Sequence, residues 1–289
     1  MAGSRYAYVR DFELADAALP RTYLVVRIDG RGFHRFSQQQ QFSKPNDPDA
    51  LELMNEAARA VLREFKGHIT LAFGESDEYS FLLDRDSNLY NRRQSKLVSH
   101  IVSVFTGAYV FMWSRYMRIP LERPPSFDGR LVMYPTAREV RDYFSWRQAD
   151  STFAAALTQP AHINNLYNTV FWALVLQGQQ TEHEAHETLK GTFSSDKHEI
   201  LYTRFGINYD KLPALYRKGT TLVWAPVPGQ QPRSKPKTEL RSLHVDIISD
   251  AFWMHTDDAP PALPTSTSDL FYEAPDRLTG PGLGERVLE

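Results

Sequence analysis

The order of apolar and polar positions along the chain predicts a mixture of strands and helices. Short β-branched or alternating runs predict strands at residues 22–28, 69–73, 79–83, 131–134 and 221–224. Apolar residues at helical spacing predict helices at residues 50–65, 92–116, 137–149, 164–176, 181–190 and 194–202. Residues 5–20 indicate an irregular arm.

The first six elements follow in the order strand, helix, strand, strand, helix, strand. This is the order of the split βαβ, or ferredoxin-like, arrangement, in which strand one lies beside strand three. We therefore predict an α+β fold, a βαββαβ sheet with additional helices and a C-terminal extension. The expected divisions are residues 1–135 for the sheet with its arm, 136–256 for a helical region that completes the unit, and 257–289 for a disordered tail. Within the second part, residues 226–237 indicate a mobile loop and 244–253 an apolar segment that docks.

Composition limits the class of protein. With 289 residues, 42% of them apolar and 24% charged, the chain is typical of a globular protein with a sizeable core. The absence of cysteine excludes disulfides, thiolate chemistry and zinc–cysteine sites. No uninterrupted apolar run reaches the roughly 18 residues of a membrane span, so we expect no membrane partner and an intracellular location, cytoplasmic or nuclear. A net charge of −2 argues against a general nucleic-acid coat, but a selective RNA enzyme needs only local basic clusters.

Two acidic segments stand at the ends of predicted strands. Asp29 and Gly30 follow the first strand, and Asp77 and Glu78 lie in the turn of the predicted hairpin. Taken alone, each segment has an ordinary explanation, since aspartate turns well and commonly ends a strand. If strands one and three are neighbours, however, the two aspartates converge. Paired carboxylates suit two divalent cations about 3.5–4 Å apart, which is typical of nucleotidyl transfer.

Groups near these carboxylates are candidates for binding phosphate. The backbone amides of residues 30–34 can hold a triphosphate. The basic candidates are Lys44, Arg92, Arg93 and Lys96. For the adjacent arginine pair the alternative is a solvated start of a helix, and His34 is either a base or phosphate contact or a packed turn residue. His183 and His186 lie three apart on an acidic helix and indicate a solvated face rather than a metal pair.

Several long sequence segments closely resemble the tRNA-histidine guanylyltransferase family, and the matches run from about residue 5 to residue 253. The segments are YVRDFE (8–13), RIDGRGFHRF (27–36), KPND (44–47), SDEYSF (76–81), FDGR (127–130), SWRQAD (145–150), HINNLYNTVFW (162–172) and YRKGT (216–220). The chain looks like a eukaryotic member. The resemblance implies a polymerase-like palm, an activity that adds one guanylate to the 5′ end of histidine tRNA, and a homotetramer.

The resemblance also implies roles for particular residues. Asp29, the carbonyl of Gly30 and Asp77 are expected to hold two Mg²⁺ ions, with Glu78 beside them or as an occasional ligand. The nucleotide triphosphate is expected on Asp29, Gly30, Arg31, Gly32, Phe33, His34, Ser76 and Asp77. Positions matched to activation or phosphate binding are Lys44, Asn46, Lys96 and Lys197, and His162 matches a position tied to tRNA handling.

The implied reaction has three phosphoryl steps. The tRNA 5′-phosphate attacks ATP at its α-phosphate, the 3′-hydroxyl of GTP then attacks the adenylylated end and expels AMP, and pyrophosphate is finally removed. Each step needs in-line geometry and charge neutralisation more than a covalent nucleophile. Two other functions stay open: a palm-type nucleotide cyclase, which shares acidic residues at the same hairpin, and a non-catalytic ferredoxin-like RNA-binding module. One departure from the family is the segment 151–161, where the family has about one residue; it is either a surface loop or an unspliced intron.

Overall fold

The computed structural model describes residues 4–150, 165–226, 238–253 and 287–288. The insertion at 151–161, His162, the predicted loop beyond Pro226 and most of the predicted tail lie outside these residues. Two tail residues are described, Val287 and Leu288. They pack against the core, and the Leu288 carbonyl accepts a hydrogen bond from the Tyr23 hydroxyl at 2.8 Å.

A six-stranded antiparallel sheet runs through the described part of the molecule. Its strands are β1 Tyr23–Gly30, β2 Ile69–Glu75, β3 Glu78–Leu83, β4 Phe127–Tyr134, β5 Thr220–Pro226 and β6 Thr238–Leu243. Their order across the sheet is β4-β1-β3-β2-β5-β6. The α+β class is confirmed, and so is the neighbouring position of strands one and three. The two strands from the second half of the chain extend the same sheet.

The helices cover both faces of this sheet and one end. They are α1 Phe33–Gln39, α2 Pro48–Glu64, α3 Gln94–Tyr116, α4 Ala137–Asp150, α5 Asn165–Leu176, α6 Glu182–Leu189, α7 Ser194–Phe205, α8 Ala214–Lys218 and α9 Asp250–Trp253. Asp47 explains where α2 begins: its carboxylate accepts the Ala50 amide at 3.0 Å, and Pro48 follows at the first helical position.

Three apolar clusters hold these layers together. Leu24, Val26 and Ile28 face α2 and α3, whereas Tyr23 and Val25 face α4 and α9. This alternation is the period of two that a strand imposes on its side chains. A third cluster joins α5, α6 and α7. Each fully buried Leu or Val contributes on the order of 1.5–3 kcal/mol, so the sheet that carries the acidic strand ends is a rigid support.

Four of these elements were not predicted: α1, β6 and the short helices α8 and α9. Residues 33–39 form α1 where the sequence indicated only a turn, because Gly32 adopts a left-handed φ of 63° and directs the chain into a helix immediately after β1. Residues 238–243 form β6, whose six residues alternate weakly and pair with β5. Its position is decided by an unpaired edge of the sheet, which the local sequence does not reveal.

Helix α3 is long and apolar enough to cross a membrane by length and composition alone, and no other described helix is. Its inner face contributes Ile101, Phe105 and Tyr109 to the core beneath β1 and β4. It is therefore placed as a core helix with one face on the sheet, and its outer face remains exposed at Ser103 and Phe111.

Candidate active site

The end of β1 and the turn of the β2–β3 hairpin lie side by side. The antiparallel register pairs Asp29 with Glu78. The Gly30 amide donates a hydrogen bond to the Asp77 carbonyl at 3.0 Å. Between Glu75 and Glu78 the turn contains only two residues, and Ser76 has a positive φ of 55°. The structure thus brings together the two acidic segments that lie far apart in the sequence.

Gly30 is required for this close approach. A Cβ atom at this position would lie 2.4 Å from the Phe33 ring and 3.1 Å from the Asp77 Cβ. Neither distance leaves room for a side chain, because real Cβ contacts are longer. The glycine therefore allows the turn that carries Asp77 to close onto the end of β1.

The charges at this point are partly balanced by two arginines. Arg27 lies two residues before Asp29 on the same face of β1, and its Nη2 is 2.9 Å from Asp29 Oδ2 and 2.5 Å from Glu78 Oε2. From α4, Arg147 Nη1 approaches Glu78 Oε2 at 3.1 Å, with a side chain that is only 5% exposed. Glu78 is consequently held between two guanidinium groups in this structure.

Asp77 has the most perturbed carboxyl group of the site. Burial of the carboxyl group, reinforced by the negative charge of Asp29, raises the pKa of Asp77 to about 6. A hydrogen bond within the residue and one from Ser76 act in the opposite direction. The two carboxylates repel each other in a partly buried position, and a bound cation would relieve this repulsion.

These carboxylates open into a cleft of about 740 Å³. One wall consists of the hairpin turn and the start of α1, including His34. The facing wall consists of α5 and α6, with Tyr167, Asn168, Phe171, Trp172, Glu182 and His186. A smaller adjoining cavity of about 150 Å³ extends between residues 42–47 and Tyr216. The two openings share Phe33, Lys44 and Ser76, so together they can accommodate a nucleotide and its phosphates.

The other predicted site residues fall into two groups. Lys44 lines the cleft, with Nζ 3.1 Å from Ser37 Oγ and 5.6 Å from the centre of the Trp172 ring, and burial lowers its pKa. Arg31 is exposed and is not among the residues that line the cleft, and its amide donates to the Ser126 carbonyl. Lys96 does not line the cleft either. It is exposed on α3, 5.9 Å from the Tyr90 ring.

Two further lysine and arginine candidates have contacts of their own. Lys197 Nζ donates to the Thr192 carbonyl at 2.8 Å and lies 5.9 Å from the ring of Tyr167, a cleft residue. Arg92 is buried and donates to backbone carbonyls of four residues, Leu19, Thr22, Arg85 and Ser87. Both expectations for it, a phosphate ligand or a solvated helix start, were therefore wrong. Arg93 pairs with Asp16 instead of standing free.

Several cleft residues were missed by the sequence analysis. Arg27 could have been found, since the strand period places it on the face of Asp29. Arg147 and the α5 wall could not, because only packing of α4 and α5 against the sheet brings them there. His186, expected on a solvated face, is exposed but lines the cleft, where its ring lies 4.6 Å from that of Phe171 and its Nδ1 is 2.7 Å from the Tyr167 hydroxyl.

The site has the donors that a hard cation prefers. Asp29, Asp77 and the Gly30 carbonyl offer oxygen atoms, which suit Mg²⁺. Within the residues that the structure describes, no group of three or more His, Cys, Asp or Glu is arranged to hold a metal by itself. Mg²⁺ usually keeps several waters and takes further ligands from substrate phosphates. Asp29 and Asp77 line the same cleft, and the Gly30 amide is bonded to the Asp77 carbonyl, so these oxygen donors lie close enough together to fit the cation; the raised pKa of Asp77 agrees with this.

A mixed α+β fold with paired carboxylates at adjoining strand ends, beside a cleft of nucleotide size, is the arrangement expected for nucleotidyl transfer. Comparison with known proteins agrees. Residues 6–135 match the family described as "tRNAHis guanylyltransferase", and residues 138–249 match the "Thg1 C terminal domain". The tRNA(His) guanylyltransferase of Schizosaccharomyces pombe is 49% identical over 261 residues, which cover 88% of this chain and 96% of the relative.

Solved structures give the same result. A crystal structure of the tRNA(His) guanylyltransferase of Saccharomyces cerevisiae matches with a TM-score of 0.69 and 44% identity, covering 76% of this chain and 93% of that one. A bacterial Thg1-like protein in complex with ATP, 24% identical, matches in fold with a TM-score of 0.58 over 81% of this chain and 88% of its own. The chain belongs to the tRNA(His) guanylyltransferase family.

Proposed function

We propose that this chain adds one guanylate to the 5′ end of histidine tRNA, after activation of that end by ATP. The observation that carries the proposal is the convergence of Asp29 and Asp77 at one end of the sheet, beside a cleft of nucleotide size. Family membership supports the choice of substrate and favours this activity over a nucleotide cyclase or a non-catalytic RNA-binding module.

Asp29, Asp77 and the Gly30 carbonyl would hold two Mg²⁺ ions. When bound, these ions would neutralise phosphate charge and activate the attacking oxygen. The chain's own groups would complete the site. The backbone of residues 29–34 and Ser76 would bind the triphosphate, with Lys44 at the mouth of the cleft. Arg31 and His34 would contact phosphate or base from the exposed rim.

Activation by ATP and attack by GTP would take place in turn in this cleft. The cleft has to place the tRNA 5′-phosphate in line with the α-phosphate of ATP, and afterwards the 3′-hydroxyl of GTP in line with the adenylylated end. The rigid sheet beneath Asp29 and Asp77 fixes that alignment, which accounts for much of the rate in phosphoryl transfer. Lys197, which lies near Tyr167 of the cleft, is proposed to act in activation or phosphate binding, whereas Lys96 and His162 are proposed to act on tRNA. Lys96 lies outside the cleft lining, and His162 lies outside the described residues.

Three features of organisation belong to the same proposal. The first four strands, in the order β4-β1-β3-β2, are a ferredoxin-like polymerase palm within residues 1–135. Residues 136–256 complete the catalytic unit with β5, β6 and the cleft wall. The family matches meet between residues 135 and 138, which supports this division. The protein would act inside the cell, in the cytoplasm or the nucleus, where tRNA is processed.

We further propose a homotetramer. The outer face of α3 supports self-association, because this apolar helix buries only 28% of its most apolar 18-residue window inside the chain. It borders a shallow groove of about 600 Å³ beside β4, an edge strand of the sheet. Ser103→Glu in this face should reduce the mass measured by light scattering, whereas Gln177→Glu at the exposed end of α5 should not. An unchanged mass for Ser103→Glu would contradict this surface.

The activity is tested by incubating the protein with Mg²⁺, ATP, labelled GTP and either histidine tRNA or another tRNA. We expect label to enter histidine tRNA at its 5′ end. Asp29→Ala and Asp77→Ala should abolish incorporation without loss of fold, and Asp142→Ala, an exposed carboxylate on α4, should leave it unchanged. Retained incorporation in either active-site variant would refute the roles of the aspartates. Cyclic product formed from GTP alone would favour the cyclase.

A further inference from the structure

The last turn of α4 places a buried guanidinium group beneath the acidic hairpin. Arg147 Nη1 donates to both carboxylate oxygens of Glu78, at 3.1 Å to Oε2 and 3.3 Å to Oε1. Its side chain is 5% exposed and that of Glu78 is 20% exposed. An ion pair so far removed from water is sensitive to loss of either partner, since the remaining charge is left without compensation.

Neighbouring contacts hold this guanidinium in one place. Its Cζ lies 3.6 Å from the centre of the Trp146 ring, a close cation–π contact. The next residue, Gln148, is buried. Its side-chain Nε2 donates to the backbone carbonyls of Lys218 and Val245, and its side-chain Oε1 accepts a hydrogen bond from the Ile247 amide. The end of α4 is therefore anchored to the segments just before β5 and just after β6, and Arg147 reaches Glu78 from a fixed base.

On its other side Glu78 contacts Arg27, which also contacts Asp29. Arg27 Nη2 is shared between the two carboxylates, at 2.9 Å from Asp29 Oδ2 and 2.5 Å from Glu78 Oε2. Arg147 adds a second contact to Glu78 from α4 at 3.1 Å, so the carboxylate of Glu78 is held from both β1 and α4 beside the backbone of Asp77. Glu78 directly follows Asp77, and a shift of one moves the other.

We infer that Arg147 is a positioning residue that locks Glu78 and thereby fixes Asp77 opposite Asp29 for divalent-cation binding. The inference rests on the proposed function, because it concerns the same carboxylates. It assigns Glu78 to an arginine clamp that orients the cation ligands.

The test measures cation binding directly, without turnover. Mn²⁺ is titrated by electron paramagnetic resonance into the full-length protein in the presence of a non-hydrolysable GTP analogue. Arg147→Met should raise the half-saturating Mn²⁺ concentration by about tenfold, as expected for loss of an interaction that orients metal ligands. Arg147→Lys, which keeps a charged nitrogen for Glu78 but loses the planar guanidinium that lies against the Trp146 ring, should have a smaller effect. Arg138→Met, an exposed arginine on the same helix, should bind like the wild type.

A double-mutant comparison that starts from Glu78→Gln distinguishes a positioning role of Arg147 from a general contribution to stability. In a Glu78→Gln chain the clamp is already broken, so adding Arg147→Met should change the Mn²⁺ half-saturation by less than about twofold. An equal loss in both backgrounds would overturn the inference, and so would wild-type binding by Arg147→Met. If Arg147→Met fails to fold, Arg147→Gln, which also removes the charge, takes its place in both backgrounds, and an equal loss in both or wild-type binding by the single variant would overturn the inference. Absence of Mn²⁺ binding by the wild type would instead refute the metal site of the proposed function.

Discussion

Removal of the negative charge of Asp77 is expected to stabilise the metal-free protein while it abolishes activity. In the folded chain this carboxyl is buried beside Asp29, and its pKa lies near 6 instead of 3.8. Above pH 6 the folded protein must keep the group ionised in an unfavourable place, whereas the unfolded chain ionises it freely. Asp77→Asn removes that cost, since the amide carries no charge at any pH.

The size of the effect follows from the pKa. Each pKa unit corresponds to 1.36 kcal/mol, so a rise of about 2 units makes ionisation cost up to about 3 kcal/mol. Because the residue as a whole is partly exposed, solvent screening reduces this figure. We expect Asp77→Asn to raise the free energy of unfolding by about 2 kcal/mol at pH 7.5. For a chain of this length that is a rise in Tm of about 4 °C.

The sign of this change in the free energy of unfolding can be checked over a range of pH. A group with a raised pKa in the folded state favours folding when it is protonated, so this contribution is lost as the pH rises from about 4 to 6. The difference in stability between Asp77→Asn and the wild type should therefore be near zero below pH 4, grow between pH 4 and 6, and stay constant above. Urea unfolding with a chelator present measures it at each pH, and Asp142→Asn serves as the exposed control.

Added Mg²⁺ should make the wild type more stable than Asp77→Asn. The wild type should gain stability as the cation binds the folded state, whereas Asp77→Asn should gain little. If Asp77→Asn is no more stable than the wild type at pH 7.5 without divalent cations, or if the difference does not change with pH, the argument from carboxylate repulsion is wrong.

Three further substitutions test the frame around the site. Gly30→Ala should lower kcat at least tenfold and cost about 1–3 kcal/mol, because its Cβ would overlap the Phe33 ring; wild-type kcat would contradict this. Gln148→Leu should cost about 3 kcal/mol in urea unfolding by leaving three backbone groups without their partner, and a cost below 1 kcal/mol would refute the reasoning. Arg92→Met should destabilise by a similar amount without weakening GTP binding measured by calorimetry. Weaker binding in the folded variant would restore Arg92 as a phosphate ligand.

Much of the fold could be predicted because its signals are local. The β-branched run of β1 and the apolar stripe of α2 depend on residues only a few positions apart. Both elements begin and end within two residues of the predicted positions. The neighbouring position of β1 and β3 followed from the order of elements. Once those strands are neighbours, Asp29 and the hairpin turn must meet, so the acidic centre of the site was accessible from the sequence.

Local patterns in the chain were enough to predict most of the elements, the acidic strand ends and, through the long matching segments, the family. The packing of whole elements sets which distant groups surround those carboxylates. Arg147 reaches Glu78 because α4 packs on the face that also carries Asp29, and α5 closes the cleft because its own cluster holds it there. Such contacts depend on how whole elements pack, and packing is a sum over many apolar contacts between remote segments. No local pattern of residues contains that sum.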